Sequence, residues 1–501
     1  MSASTIVPRV VLTAEGERWA VSPEQRQMFC LTDDSVLHIV SGYEADHFVL
    51  AFQDRLRRSG QKFTVSYVSP EQLTALYRGV LAVSGHGHRV DQEGASKRQR
   101  EVVQIIQSAT QSGASDVHFF PTPGGHQLRF RIHGELETIK SFVGTHGIEL
   151  LSTIYSSMCE SGDTNYRPEV AQDGRLFSQF VTECGLFGAR IATRPTLNGP
   201  WMALRLLYDA GEFIPLEQMG YLPSQIDLLT RFIHRTDGIV ILSGTTGAGK
   251  STSLQTLLSM LIKFNQGKIN LTTIEDPVEY RIEGATQTPL IGEWADAITN
   301  LMRMDPDVLM IGEMRDLVSA MAAFQGANTG HGLWSTLHTS SAASCIQRLH
   351  DLGVENSLLM DPSLMKGLVN QALTRVSCPQ CRIPYLEGRD RVTADLRARV
   401  ESLCIPEQVY LKGDGCSHCK GRGITGRTAI AEIIIPDIGF MRTFRDKGKA
   451  EAQAFWVHER GGVTKNAHLI QRINAGLIDP QLAERDVCQL DDDVLTVGAS
   501  K

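Results

Sequence analysis

Gly244-Thr245-Thr246-Gly247-Ala248-Gly249-Lys250-Ser251 is a complete G-x-x-x-x-G-K-S phosphate-binding loop. The apolar run Ile239-Val-Ile-Leu242 ahead of it reads as a buried strand that aims the loop. Behind it, Ser251, Thr252 and the apolar stretch 254–261 read as a helix, whose N-terminus favours an anion. The glycines let backbone N–H groups turn inward and approach phosphate oxygens. In this arrangement residues 244–252 cradle a nucleotide. Lys250 reaches the β- and γ-phosphates, and the Ser251 hydroxyl ligates Mg²⁺.

Working outward, the 501 residues exceed one ordinary domain and suggest about three or four. Hydrophobic content of 42% with 21% charged residues fits a folded chain rather than a disordered one. A net charge of −7 argues against a general nucleic-acid-binding surface. Neither a signal-peptide core nor an apolar run of about 18 residues is present, so a cytoplasmic protein that meets the membrane only through partners is expected. Ten cysteines then point to metal or free thiols rather than disulfides.

Residues 1–84 read as a small α/β docking domain. Strand-like runs at 36–40 and 63–67 flank Phe48, Val49, Phe52 and Leu56 at helical spacing. Residues 85–97, with His86 and His88, read as a linker. An α+β domain is expected over 98–210, with a helical face at Val102, Ile105, Ile106 and Ala109. A hairpin about Gly124-Gly125 would turn Leu128, Phe130 and Ile132 inward and Arg129 and Arg131 outward. Further short strands are expected at 176–180, 189–193 and 201–207. From 216 to the C-terminus, apolar runs at 239–242, 271–274, 308–311 and 332–337 alternate with helical patterns. That alternation implies a mostly parallel sheet covered on both faces. Residues 450–486 read as helical, and 489–501 as a loose acidic tail.

The chemistry gathers at strand ends. Thr273-Ile-Glu275-Asp276-Pro-Val-Glu279 places acids after one apolar run. Asp305-Pro-Asp-Val-Leu-Met-Ile-Gly312-Glu313 does the same after another. The carboxyl ends of parallel strands are where such sheets bind ligand. Glu313 is the candidate to polarise an attacking water, with Glu275 beside it. Gly312 stands where an NTPase usually has an Asp, so direct metal ligation by that strand is not expected. Thr329-Gly-His331 to Leu337-His338-Thr339 ends a third strand. His338 is placed to sense a γ-phosphate and His331 to contact the neighbouring acids, unless either is a structural core histidine.

Cys378-Pro-Gln-Cys381 and Cys416-Ser-His-Cys419 can supply four thiolates to one tetrahedral Zn²⁺. The alternative for the first pair is a redox site. The 34 intervening residues form an inserted lobe at about 376–425. Its charge-rich stretch 387–399 is expected to bury little core, leaving the metal to order it.

In this order, Gly244 to Ser251, Thr273-Ile-Glu-Asp-Pro-Val-Glu279, Asp305 to Ile-Gly-Glu-Met-Arg-Asp316, and Thr329-Gly-His to Thr-Leu-His-Thr339 closely resemble the motifs of the secretion ATPases. These serve type II secretion and type IV pilus assembly. Gln172-Asp-Gly-Arg175 and the segments around Arg190 and Arg205 extend the resemblance over about residues 98–480. It implies a PAS-like domain followed by a RecA-like P-loop ATPase domain, assembled as a homohexamer. ATP and Mg²⁺ would be the cofactors, and an inner-membrane platform protein the partner. It also implies that Arg190 and Arg205 approach the γ-phosphate. Val117-His118-Phe119-Phe120 and Gln371-Ala372 depart from the family's usual residues and point to the branch serving plasmid or virulence-type (type IVb) pili. The cysteine lobe resembles that of assembly rather than retraction ATPases. Against a hydrolysing motor stand two readings: an ATP-binding regulatory subunit with little turnover, and a DNA-translocating ATPase, which the acidic composition disfavours.

Overall fold

The structure, a computed structural model, describes residues 11–13, 19–22, 25–44, 46–70, 72–73, 76–77, 92–160, 165–209 and 213–498. The chain divides into two compact units, Met1–Arg98 and Gln99–Lys501.

In the first unit, strands β1 (Phe29–Leu31), β2 (Val36–Val40) and β3 (Thr64–Val68) form one sheet, with β2 and β3 parallel. The helix His47–Arg58 makes the crossover, started by the Asp46 carboxylate, which accepts from the Phe48 N–H at 2.8 Å. Its face Val49, Phe52 and Leu56 packs on Trp19, Phe29, Leu37 and Ile39, as the spacing predicts. The greater part of the expected linker lies outside the described residues. Its end does not: a helix spans Gln92–Gln111, beginning well before the apolar face at Val102.

The second unit carries two seven-stranded sheets. The first is built from β4 (Ala114–Thr122), β5 (Gly125–Ile132), β6 (Glu135–Val143), β7 (Cys159–Glu160), β8 (Gln172–Leu176), β9 (Leu186–Thr196) and β10 (Gly199–Tyr208). Their order is β6-β5-β4-β10-β9-β8-β7, antiparallel throughout. Leu128, Phe130 and Ile132 face its core with the helix His146–Met158, as expected from their alternation. The strand expected at 176–180 ends at Leu176, and Ser178–Phe180 is a 3-10 turn.

The second sheet comprises β11 (Gly238–Ser243), β12 (Leu271–Glu275), β13 (Thr286–Pro289), β14 (Val308–Ile311), β15 (Gly332–Leu337) and β16 (Met365–Ser377). Beyond the two-stranded ribbon of β17 (Ile383–Pro384) and β18 (Tyr410–Leu411), β19 (Ile424–Ile434) completes it. The order is β13-β12-β14-β15-β11-β16-β19, parallel except for the last pair. Every residue of β11, β12, β14 and β15 is buried, which explains the unbroken apolar runs 239–242 and 308–311. Each fully buried Leu, Ile or Val there contributes about 1.5–3 kcal/mol. Helices cover both faces, one centred on Leu257, Leu258 and Leu261 and the other on Phe324, Ile346 and Leu349. The C-terminal tail is not loose as far as residue 498: Leu490 is buried and Asp492–Thr496 is helical. Among the described residues, no helix is long and apolar enough to cross a membrane.

Candidate functional site

Strand β11 delivers the loop, which enters the helix Lys250–Phe264 through Gly249 at φ +81°, a conformation that favours glycine. At Gly244 the constraint is space: a Cβ there would stand 2.3 Å from the Gln371 carbonyl oxygen on adjacent β16. The Gln371 side chain grips the loop as well. Its amide donates to the Ala248 carbonyl at 2.7 Å, and its Oε1 accepts from the Tyr221 hydroxyl at 2.7 Å. Neither Gln371 nor Tyr221 was foreseen. Gln371 meets the loop from more than 100 residues away, Tyr221 reaches it through Gln371 and Ser253, and no local pattern signals such contacts.

Lys250 is 9% exposed, and its ammonium donates to the Gly244 and Thr245 carbonyls at 2.8 and 3.2 Å. Burial lowers its pKa from the ordinary lysine value, opposed by the charges of Glu313 and Glu279. Ser251 Oγ donates to Glu279 Oε2 at 2.6 Å, and Thr252 Oγ1 lies 3.2 Å from the Tyr280 hydroxyl. Glu279, read from the sequence only as part of an acidic segment, and Tyr280 thus join the site. The signal was available for Glu279, which follows Glu275 by four residues in the same acidic segment.

Because β12, β14, β15 and β11 are neighbours and parallel, their carboxyl ends lie side by side. Glu313 follows β14 and His338 follows β15, and their side chains approach to 3.7 Å. Glu313 also accepts from Arg315 Nε at 2.9 Å, and Arg315 reaches Asp276 at 3.8 Å. Desolvation and then the Lys250 charge lower the His338 pKa, with Glu313 opposing, which favours neutral imidazole. Glu275 is 8% exposed, holding hydrogen bonds from Thr273 Oγ1 at 2.6 Å and Gln287 Nε2 at 3.0 Å. Burial raises its pKa and those bonds counteract it. Gly312 has a steric cause: a Cβ would press on the Ile274 carbonyl at 3.2 Å and on Glu275 Cα and the Trp294 ring at 3.4 Å. His331 does not reach the acids. Its Nδ1 lies 3.0 Å from Thr329 Oγ1 and 3.2 Å from the Gly326 carbonyl, at the end of a helix.

Arg190 and Arg205 are direct cross-strand partners on β9 and β10 of the first sheet. Arg205 Nε donates to Asp116 Oδ1 at 3.1 Å. The charge of the Asp116 carboxylate opposes the effect of burial on Arg427 of β19. Desolvation lowers the Arg427 guanidinium even though its side chain still reaches solvent.

The four cysteines come together apart from this site, with every Sγ within 4.8 Å of the others. Cys378 and Cys416 are 3.8 Å apart, Cys381 and Cys419 3.9 Å, and Cys416 and Cys419 3.8 Å. A tetrahedron of about 2.3 Å metal–sulfur bonds has edges of about 3.8 Å, so the donor set fits a metal ion. Backbone N–H groups of Cys416 and Gly423 each lie 3.1 Å from Cys419 Sγ and favour its thiolate, against the opposing effect of burial. The lobe between the pairs is not coreless as expected. Tyr385, Val392, Leu396 and Val400 are buried with Ile430, Leu469 and Ile473, because apolar positions spaced among the charges face the C-terminal helices.

Residues 91–476 match the model of a family described as type II/IV secretion system protein. The chain is 32% identical over 455 residues to type II secretion system protein E of Dickeya dadantii (strain 3937), covering 85% of this chain and 88% of that one. It is 32% identical over 341 residues to the type IV pilus assembly ATPase PilB of Acinetobacter baylyi (strain ATCC 33305 / BD413 / ADP1), covering 67% of this chain and 57% of that one. In fold it is similar to the Legionella pneumophila ATPase DotB, with a TM-score of 0.53 at 19% identity over 77% of this chain and 95% of that one. It is likewise similar to the pilus retraction motor PilT, with a TM-score of 0.51 at 21% identity over 77% and 96%. A phosphate loop ringed by acidic strand ends, on a chain matched by that model over most of its length, makes this protein a member of the type II/IV secretion system protein family.

Proposed function

We propose that the protein is a cytoplasmic ATPase motor, working as a homohexamer, that drives type IV pilus assembly or type II secretion through an inner-membrane platform protein. The observation that carries this is the convergence of Lys250, Ser251, Glu279, Glu313 and His338 at adjacent strand ends of one sheet. On nucleotide binding the Lys250 ammonium exchanges its loop carbonyls for phosphate oxygens, and the loop N–H groups hold the β-phosphate. Mg²⁺, held by the Ser251 hydroxyl with acids nearby, supplies charge neutralisation on the phosphates. Glu313 takes a proton from water as the water oxygen attacks the γ-phosphorus and the bond to the ADP oxygen breaks. His338 and Arg315 orient Glu313, while Arg190 and Arg205 approach the γ-phosphate from the first sheet. Zn²⁺ bound by Cys378, Cys381, Cys416 and Cys419 is structural, a closed site.

The pilus-assembly and secretion names of the 32%-identical relatives favour extension or secretion over retraction. The likeness to the retraction motor is one of fold. Steady-state phosphate release from Mg-ATP by the purified full chain tests the reading, with Lys250→Ala as the inactive control. Tight nucleotide binding with phosphate release no faster than the control would overturn it in favour of a regulatory subunit.

A further inference from the structure

The β5–β6 hairpin turns at His133-Gly134 and presents two acids, Glu135 and Glu137, that leave their own sheet and bind the lobe built on the second one. Glu135 Oε1 accepts from Arg375 Nη1 and, at 2.7 Å, from Arg485 Nη2. Arg375 lies on β16 and its side chain is 3% exposed. Its Nη2 and Nε donate to Asp486, at 2.6 Å and 2.9 Å. A guanidinium this buried requires carboxylate partners, and one of the two comes from the other lobe. Glu137 takes a two-bond fork from Arg422, at 2.6 Å from Nε and 3.0 Å from Nη2. Arg422 follows Cys419 by three residues, so the second cysteine turn presents it.

β5 is hydrogen-bonded to β4, and β4 to β10, so the hairpin and the strands bearing Arg205 and Arg190 move as one sheet. We infer that Glu135 and Glu137 are positioning residues: with Arg375, Arg485 and Arg422 they form an ionic latch that sets the angle of the first sheet, and hence of its arginine pair, over the phosphate loop. This rests on the reading of Arg190 and Arg205 given above. Five charged side chains make these bonds, and among the described residues the buried apolar clusters of the two sheets are separate. The latch can therefore open without unfolding either sheet, and salt weakens its exposed part.

The test uses the full chain carrying donor and acceptor dyes on non-natural residues at exposed Leu197 and Lys447, diluted into unlabelled chains. The E135R/E137R variant is expected to move the separation between dyes to a longer, broader distribution, with kcat lowered and nucleotide affinity unchanged. The charge-swapped pair E137R/R422E is expected to reverse most of the shift seen in E137R alone. An E135R/E137R distribution identical to the parent's, or a folded swap that stays as open as E137R, overturns the latch. Should E135R/E137R fail to fold, raising the salt concentration on the parent must lengthen the separation, and a flat salt response overturns the proposal. A parent that releases no phosphate yet shows these shifts would remove the functional reading and leave the latch standing.

Discussion

Ser251 Oγ donates a 2.6 Å hydrogen bond to Glu279 Oε2, so the hydroxyl expected to meet a metal ion is already committed to a carboxylate. That carboxylate stands beside the place where the loop takes anionic phosphate, and the two negative charges repel unless a cation lies between them. Glu279→Gln keeps the side chain's shape and removes its charge. ATP affinity in the absence of Mg²⁺ should rise by about fivefold, corresponding to about 1 kcal/mol of relieved repulsion, and the gain on adding Mg²⁺ should shrink. Equilibrium binding of ATP with EDTA and with Mg²⁺ measures both.

Glu313→Gln retains the packing against Arg315 and His338 and removes the proton acceptor. Nucleotide binding should persist while phosphate release falls by about 10²–10⁴-fold. Turnover at the parent rate would show that another group takes the proton.

Arg205→Ala removes an arginine and leaves Asp116 without the partner at 3.1 Å. Both effects make the charge around the arginine pair less positive. Loss of Arg205, or of its cross-strand partner Arg190, should cost about 10³-fold in kcat or more with ATP binding largely kept, as arginine fingers do. Single-turnover hydrolysis compared with nucleotide affinity separates the two.

The cysteine cluster should hold one Zn²⁺ per chain. Metal analysis of the purified protein should give one equivalent, and thiol reagents should modify Cys378, Cys381, Cys416 and Cys419 only after chelation. Because the lobe also buries Tyr385, Val392 and Val400, metal removal should loosen the cysteine turns while the lobe's helix survives in circular dichroism.

His468 supplies a pH test. It is fully buried, its Nδ1 accepts from the Ala431 N–H at 3.1 Å, and its Nε2 lies 3.1 Å from the Gly220 carbonyl. Burial, with Arg472 nearby, lowers its pKa to about 4. The unfolded chain takes up a proton near pH 6.5 and the folded one does not, so this stability is complete above about 6.5 and is lost as pH falls toward 4. Urea unfolding should show about 2 kcal/mol lost between pH 7.5 and 5, and His468→Gln should flatten that part of the profile.

The parts legible in the sequence share one property: they are local. Residues 239–242 and 308–311 announce buried strands because all their neighbours are apolar, and the loop announces itself because its glycines answer backbone constraints within eight residues. The cysteine pairs were legible as pairs, and their meeting followed from the chemistry of four thiolates. The grip of Gln371 on Ala248, the pairing of β16 with β19 and the reach of Glu137 to Arg422 were not legible. Each joins segments that only the completed sheets bring together. The core of the cysteine lobe was misjudged because its apolar residues are spaced among charges, and their partners lie on helices much later in the chain. Of the two roles left open for His331, contact with the acids fails because it precedes β15, at the end of the parallel sheet opposite to the one where Glu275 and Glu313 lie.

Strand β11 is bounded on both sides by parallel neighbours, β15 and β16, and no face of its backbone is open. Amide exchange from such a strand requires the whole sheet to open, whereas edge strands fray far more readily. The stem of the phosphate loop therefore belongs to the last part of the molecule to come apart. Under the proposed function, the residence time of a spent nucleotide is then governed by how often the surrounding elements swing clear of an intact stem.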